Sequence, residues 1–93
     1  MNSLKSRILC VEDDLDSCEL LAFMLSSTEA AHDVTGVHHA AQAKALITTK
    51  QFDLYVLDIW LPDTDGLELC RWIRRRDANT PILFFTGNAQ RRP

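Results

Sequence analysis

Tyr55-Val56-Leu57-Asp58-Ile59-Trp60-Leu61-Pro62-Asp63-Thr64-Asp65-Gly66 joins an apolar run to a polar loop through a single carboxylate. Leu54 to Leu57 reads as a strand buried on both faces, the kind found inside a parallel sheet. The run ends at Asp58, and a Pro-containing, Gly-terminated loop follows. Ligands of open α/β sheets bind just outside the carboxyl ends of the strands. Asp58 therefore stands where such a fold does its chemistry. The plainer alternative is that Asp58 merely stops a strand, since Asp is common in turns.

A second acidic cluster favours chemistry. Arg7-Ile8-Leu9-Cys10-Val11 is another short apolar run, and it leads straight into Glu12-Asp13-Asp14. If the two strands are adjacent and parallel, their terminal acids converge on one edge of the sheet. Two unit charges ~4 Å apart repel by about 4 kcal/mol at an effective dielectric of about 20. A cation among the oxygens relieves that cost, and hard oxygen ligands with open water positions suit Mg²⁺. A helix N-cap explains Asp14 and Asp16, but it does not explain Asp58. A third run, Pro81-Ile82-Leu83-Phe84-Phe85, ends at Thr86-Gly87 and brings a hydroxyl to a strand end. Taken alone, Thr86 reads as an ordinary β-branched strand residue.

Between these runs, helical and strand patterns alternate, which indicates βαβ units around a parallel sheet. Asp16, with Glu19 three residues on, opens a helix that runs to about Ser27, with Cys18, Leu21, Met24 and Leu25 at helical spacing. Asp33 to Val37 is a short second strand. His39 to Thr49 is a second helix burying Ala43, Leu46 and Ile47, and Phe52 to Leu57 is the third strand. Thr64 or Asp65 caps a third helix, with Leu67, Cys70 and Ile73 inward and an end near Asp77. Asn79-Thr80-Pro81 turns the chain into the fourth strand.

Composition narrows the function classes. With 46% hydrophobic and 25% charged residues, the chain has globular rather than disordered character. Its 93 residues suit one domain. The net charge of −3 argues against nonspecific nucleic-acid binding. Arg71, Arg74, Arg75 and Arg76 look like a basic patch, but cations at a helix C-terminus complement its dipole. No stretch reaches the length of a membrane span, and the polar N-terminus is not expected to act as a signal peptide. Three cysteines fit neither a disulfide framework nor a zinc site, so the expected location is the reducing cytoplasm. His32, His38 and His39 have no metal-ligand spacing with any Cys and read as loop residues. Asp63-Thr64-Asp65-Gly66 hints at a calcium loop, but an EF-hand register would place Leu61 and Trp72 where oxygen ligands are needed.

Glu12-Asp13 after the first strand, Asp58 after the third, the Leu61-Pro62-x-x-x-Gly66 loop and Thr86 after the fourth together resemble the receiver domain of two-component response regulators. The resemblance runs from about Lys5 to Ala89. It implies a doubly wound parallel α/β sheet, a flavodoxin-like three-layer sandwich, here of about four strands and three helices. It also implies that Asp58 accepts a phosphoryl group from a histidine kinase or phosphotransfer protein. By the same resemblance, Glu12, Asp13, Asp58 and the backbone carbonyl of Trp60 hold Mg²⁺, and the Thr86 hydroxyl senses the phosphoryl oxygen. Gly66 allows a tight approach beside Asp58.

The sequence departs from the receiver pattern at its end. Receivers continue into a fifth strand that begins after an essential Lys, and then a last helix. Here Lys5, Lys44 and Lys50 are the only lysines, so the expectation is one incomplete receiver-like domain over 1–93. Two consequences are expected: slow or undetectable phosphorylation, and a homo-oligomer formed through an exposed fourth strand. Two rival functions follow as well. One is a non-switching interaction or oligomerisation module. The other is a Mg²⁺-dependent phosphatase with an Asp nucleophile, which is weakened because Trp60 occupies the position where a second acid is expected. Neither nucleic-acid contact nor membrane contact is expected of this domain.

Overall fold

The computed structural model describes residues 6–12, 20, 23, 24 and 32–85, with Phe85 described by its backbone. Its elements in chain order are β1 (Ser6–Val11), β2 (His32–Val37), α1 (Ala40–Ile47), β3 (Leu54–Asp58), α2 (Gly66–Arg76) and β4 (Ile82–Phe85). The four strands form one sheet in the order β2-β1-β3-β4, and every pairing is parallel. This is the doubly wound arrangement expected from the alternating apolar runs. From β1 the chain steps out to β2, then returns to the far side of β1 as β3. The strand order thus reverses between β1 and β3, the place where open α/β sheets bind ligands outside the carboxyl ends of their strands.

The apolar runs become strands because both of their faces are covered. Ile8, Leu9, Cys10 and Val11 in β1 and Tyr55, Val56 and Leu57 in β3 are all buried. Leu9, Val11, Tyr55 and Leu57 point to one face, where they pack with Ala40 and Ala43 of α1 and Leu69 and Ile73 of α2. Burying a Leu- or Ile-sized side chain contributes roughly 1.5–3 kcal/mol, so these central strands anchor the sheet. β2 is less buried, consistent with its place at one edge.

Several boundaries and faces differ from the sequence reading. β3 begins at Leu54 rather than Phe52, and Asp58 is its last residue rather than the residue after it. Asp58 still forms a register pair, with Phe85 of β4. Helix α1 is shorter than His39–Thr49; it buries Ala40 and Ala43, while Leu46 and Ile47 are only partly buried against the core. In α2 the inward residues are Gly66, Leu69 and Ile73, and Cys70 is partly buried. Leu67 was expected inward but is 47% exposed. At about 100° per residue it lies well round the helix from the stripe that holds Leu69 and Ile73. Leu20, Phe23 and Met24, within the expected first helix, are helical and exposed, and the rest of that stretch lies outside the described residues.

Asp65, not Thr64, caps α2: its carboxylate accepts the Glu68 N–H at 2.8 Å. The arginines near the other end of α2 are largely engaged. Arg71 pairs with Glu68 at 2.6 Å, Arg74 donates to the Asp77 carbonyl at 3.0 Å, and the Arg76 guanidinium lies 4.9 Å from the Trp72 ring centre. Among the described residues, no helix is long and apolar enough to cross a membrane.

Candidate functional site

Parallel pairing places Val11 beside Leu57. Glu12 directly follows Val11 and Asp58 directly follows Leu57, so the two acids leave neighbouring strands at the same sheet edge. Both residues are wholly buried, and among the described residues no other charged side chain is. Adjacent strands lie roughly 5 Å apart. Carboxylates leaving neighbouring strand ends at that depth repel when both are ionised, and buried charges persist when they are paired or coordinate a metal. The donor set fits a hard divalent cation such as Mg²⁺.

Backbone contacts hold both acids in place. The Glu12 N–H donates to the Val37 carbonyl at 3.0 Å, extending the β1–β2 ladder by one step. The Asp58 carboxylate accepts the Trp60 N–H at 3.1 Å. The Gly66 N–H donates to the Ile59 carbonyl at 2.8 Å, and Trp60 and Asp65 form an isolated antiparallel bridge. The loop after Asp58 is therefore folded back on itself before α2 begins. Trp60, whose carbonyl was expected to face a metal, is 38% exposed.

Gly66 is the tightest point of that loop. A Cβ built on it would come within 3.0 Å of the Ile59 Cα and 3.1 Å of the Asp58 carbonyl carbon, and closer still to the Asp58 carbonyl oxygen. All three are backbone atoms, so no side-chain rotation could make room. Here the loop needs glycine for space and not for an unusual backbone angle, since no glycine among the described residues has a positive φ.

The structure brings together Glu12, Asp58 and Trp60 from the expected set. Asp13 and Thr86 lie outside the described residues, as does Asp14. Phe85, which precedes Thr86 in sequence, pairs with Asp58 in register. Two residues read as bland in the sequence also touch this edge. The His38 ring Nδ1 lies 3.2 Å from the Glu12 carbonyl oxygen, and the His38 N–H donates to Gln42 Oε1 at 2.8 Å. Asp63 accepts the Ala40 N–H at 2.9 Å and the Ala41 N–H at 3.0 Å. The His38–Glu12 and Asp63–Ala40 contacts have no local sequence signal, because each joins segments far apart in the chain.

At the opposite end of the sheet, a groove of about 480 Å³ is lined by residues that include Lys50, Asp53, Tyr55, Arg76 and Asp77. Asp53 accepts the Arg7 N–H there at 2.7 Å, and the Asp77 carboxylate holds the Thr80 hydroxyl and the N–H groups of Asn79 and Thr80. These acids serve the turns that enter β3 and β4, so the groove is separate from the carboxylate edge.

Known proteins agree with this architecture. The family model for the response regulator receiver domain matches residues 8–92. The transcriptional regulatory protein TcrA of Mycobacterium tuberculosis is 41% identical over 81 residues, covering 87% of this chain and 31% of that protein. The transcriptional regulatory protein GltR of Pseudomonas aeruginosa is 39% identical over 84 residues, covering 88% of this chain and 34% of that protein. The chain spans about a third of the length of these curated relatives. The non-phosphorylated HemR receiver domain from Leptospira biflexa superposes with a TM-score of 0.77 at 36% identity, over 86% of this chain and 63% of that one. With four parallel strands in the receiver order and the family match along nearly its whole length, the chain belongs to the response regulator receiver domains of two-component systems.

Proposed function

We propose that Asp58 is the phosphoacceptor of a two-component phosphorelay. The observation that carries this reading is the wholly buried Asp58 carboxylate at the end of a central strand, one strand from the equally buried Glu12. An Asp58 carboxylate oxygen attacks the phosphorus of a phosphohistidine on a kinase or phosphotransfer protein. A P–O bond forms to Asp58 as the P–N bond breaks, and the departing imidazole nitrogen keeps its electron pair and takes up a proton.

Glu12, Asp13, Asp58 and the Trp60 carbonyl would hold Mg²⁺. When bound, the ion supplies positive charge that offsets the charge on the transferring phosphoryl group. The Trp60 N–H orients the Asp58 carboxylate. The Thr86 hydroxyl is proposed to bond a phosphoryl oxygen. In this reading the chain is a signalling module whose only chemistry is on itself. The non-switching module is not favoured, since the named relatives are regulators. Asp58→Asn tests the assignment: it should abolish modification by a small phosphodonor such as acetyl phosphate, read by intact mass.

A specific observation supports self-association as well. Among the described residues β4 is paired on one side only, and Leu83 and Phe84 are 56% and 39% exposed. An unpaired, apolar strand edge is a template for pairing with another chain.

A further inference from the structure

Helix α1 starts after His39, whose side chain makes no capping hydrogen bond. The first N–H groups of any helix need acceptors from outside it. Here they come from the loop that follows Asp58. One Asp63 oxygen accepts the Ala40 N–H at 2.9 Å and the other accepts the Ala41 N–H at 3.0 Å. The His39 Nδ1 lies 3.7 Å from the second oxygen. Burial, the largest single influence, raises the Asp63 pKa, but the N–H groups of Ala40, Ala41 and Asp63 itself, together with His39, outweigh it and leave the carboxyl below its ordinary value.

The start of α1 thus touches the end of β1 and the loop that follows β3. His38 reaches the Glu12 carbonyl on one side, and Asp63 secures the loop beyond Asp58 on the other. That loop carries the Trp60 N–H that bonds Asp58, and its base is closed by the Gly66 N–H to the Ile59 carbonyl. Asp63 sits between these two fixed points and ties the loop to a separate element.

We propose that Asp63 is a positioning residue for the acceptor site, fastening the loop that carries Trp60 to the first turn of α1 so that the two become ordered together. The proposal deepens the acceptor reading and rests on it only for its ligand-bound consequence. Coupling of this kind is reciprocal. A phosphoryl mimic that orders the loop at Asp58 also strengthens the start of α1, and releasing α1 loosens the loop.

Amide hydrogen exchange on the whole chain tests the fastening without any ligand. In Asp63→Ala, exchange at Ala40, Ala41 and Trp60 should rise together by about five- to tenfold, while Leu9 and Leu57 in the central strands stay protected. Asp63→Asn keeps one carbonyl acceptor and should recover part of the protection. It also carries the comparison if Asp63→Ala does not fold. Faster exchange at Ala40 and Ala41 with Trp60 unchanged would make Asp63 a plain helix cap and overturn the proposal. In a second arm, Mg²⁺ with beryllofluoride should slow exchange at Ala40 and Ala41 in the parent chain but not in Asp63→Ala. Equal slowing in both would also overturn it. If the mimic leaves the amides around Asp58 unperturbed in the parent, the acceptor assignment falls, and the fastening is still decided by the ligand-free exchange.

Discussion

Gly66 lies against the Asp58 carbonyl so closely that no Cβ fits between them. The first residue of α2 and the last residue of β3 are thus in contact through backbone alone. That contact makes the loop a tight return and sets where the Asp58 carboxylate stands relative to the start of α2. It gives the Pro-x-x-x-Gly spacing a steric reason.

Gly66→Ala should therefore destabilise the fold by about 1–3 kcal/mol, the usual cost of overpacking a buried site. Ala is the better helix former, so propensity alone predicts the opposite sign. Urea unfolding distinguishes the two, because steric intrusion lowers the midpoint and propensity raises it.

The buried pair at the sheet edge leads to an opposed pair of effects. Glu12→Gln removes one of two like charges on adjacent strand ends, which should stabilise the metal-free protein by on the order of 1 kcal/mol. The same change should weaken Mg²⁺ binding, read by Trp60 fluorescence. Thermal melts with and without Mg²⁺ check both halves: the variant should melt higher than the parent without metal and gain less when metal is added.

Asp63 predicts a particular response to acid. Its folded pKa lies below the ordinary aspartate value of about 3.8. Its ionised form therefore contributes stability that is present above that ordinary value and is lost as pH falls through the lower folded value. Losing both accepted N–H bonds should cost about 1 kcal/mol, as for other helix caps. Asp63→Ala should accordingly be less stable than the parent at neutral pH, with the gap closing below about pH 4. A gap that stays constant to lower pH would show that the ionised Asp63 carboxylate is not the source of the stability.

Tyr55 makes the alkaline counterpart. Burial, then the charge of Asp77, raises its pKa above the ordinary value, and Arg74 acts weakly against them. The neutral phenol is favoured in the folded chain, so its contribution to stability is present below about pH 10 and is lost as pH rises through the higher folded value. Tyr55 is the only tyrosine in the chain, so ultraviolet titration reads it directly. The phenol should ionise at higher pH in the folded protein than in urea.

Much of the sheet was legible because its signals are local. Leu54 to Leu57 and Ile8 to Val11 are continuous apolar runs that end in acids, and such runs become central parallel strands with those acids at one edge of the sheet. The face of α2 was read less well. Leu67, Leu69, Cys70 and Ile73 are all apolar or nearly so, and the phase of so short a helix is set by where Asp65 and Gly66 begin it. The roles of His38 and Asp63 were not legible at all. Ala40 and Asp63 are 23 residues apart in sequence, and only the packing of α1 beside the β3–α2 loop makes one the donor and the other its acceptor.

The β4 edge predicts concentration-dependent assembly. Light scattering across a dilution series should show mass falling toward that of a monomer, and Phe84→Lys should shift the transition to higher concentration by putting a charge on the exposed strand. A parent chain that is monomeric at every concentration would remove this edge as an interface.

Chemical modification reads the acceptor role of Asp58 at the residue itself. The parent chain and Asp58→Asn are incubated with acetyl phosphate and Mg²⁺, and the products are followed by intact mass and peptide mapping. One phosphoryl group, carried on Asp58, is expected in the parent and none in the variant. A phosphoryl group retained in Asp58→Asn, or mapped to another residue in the parent, would contradict it.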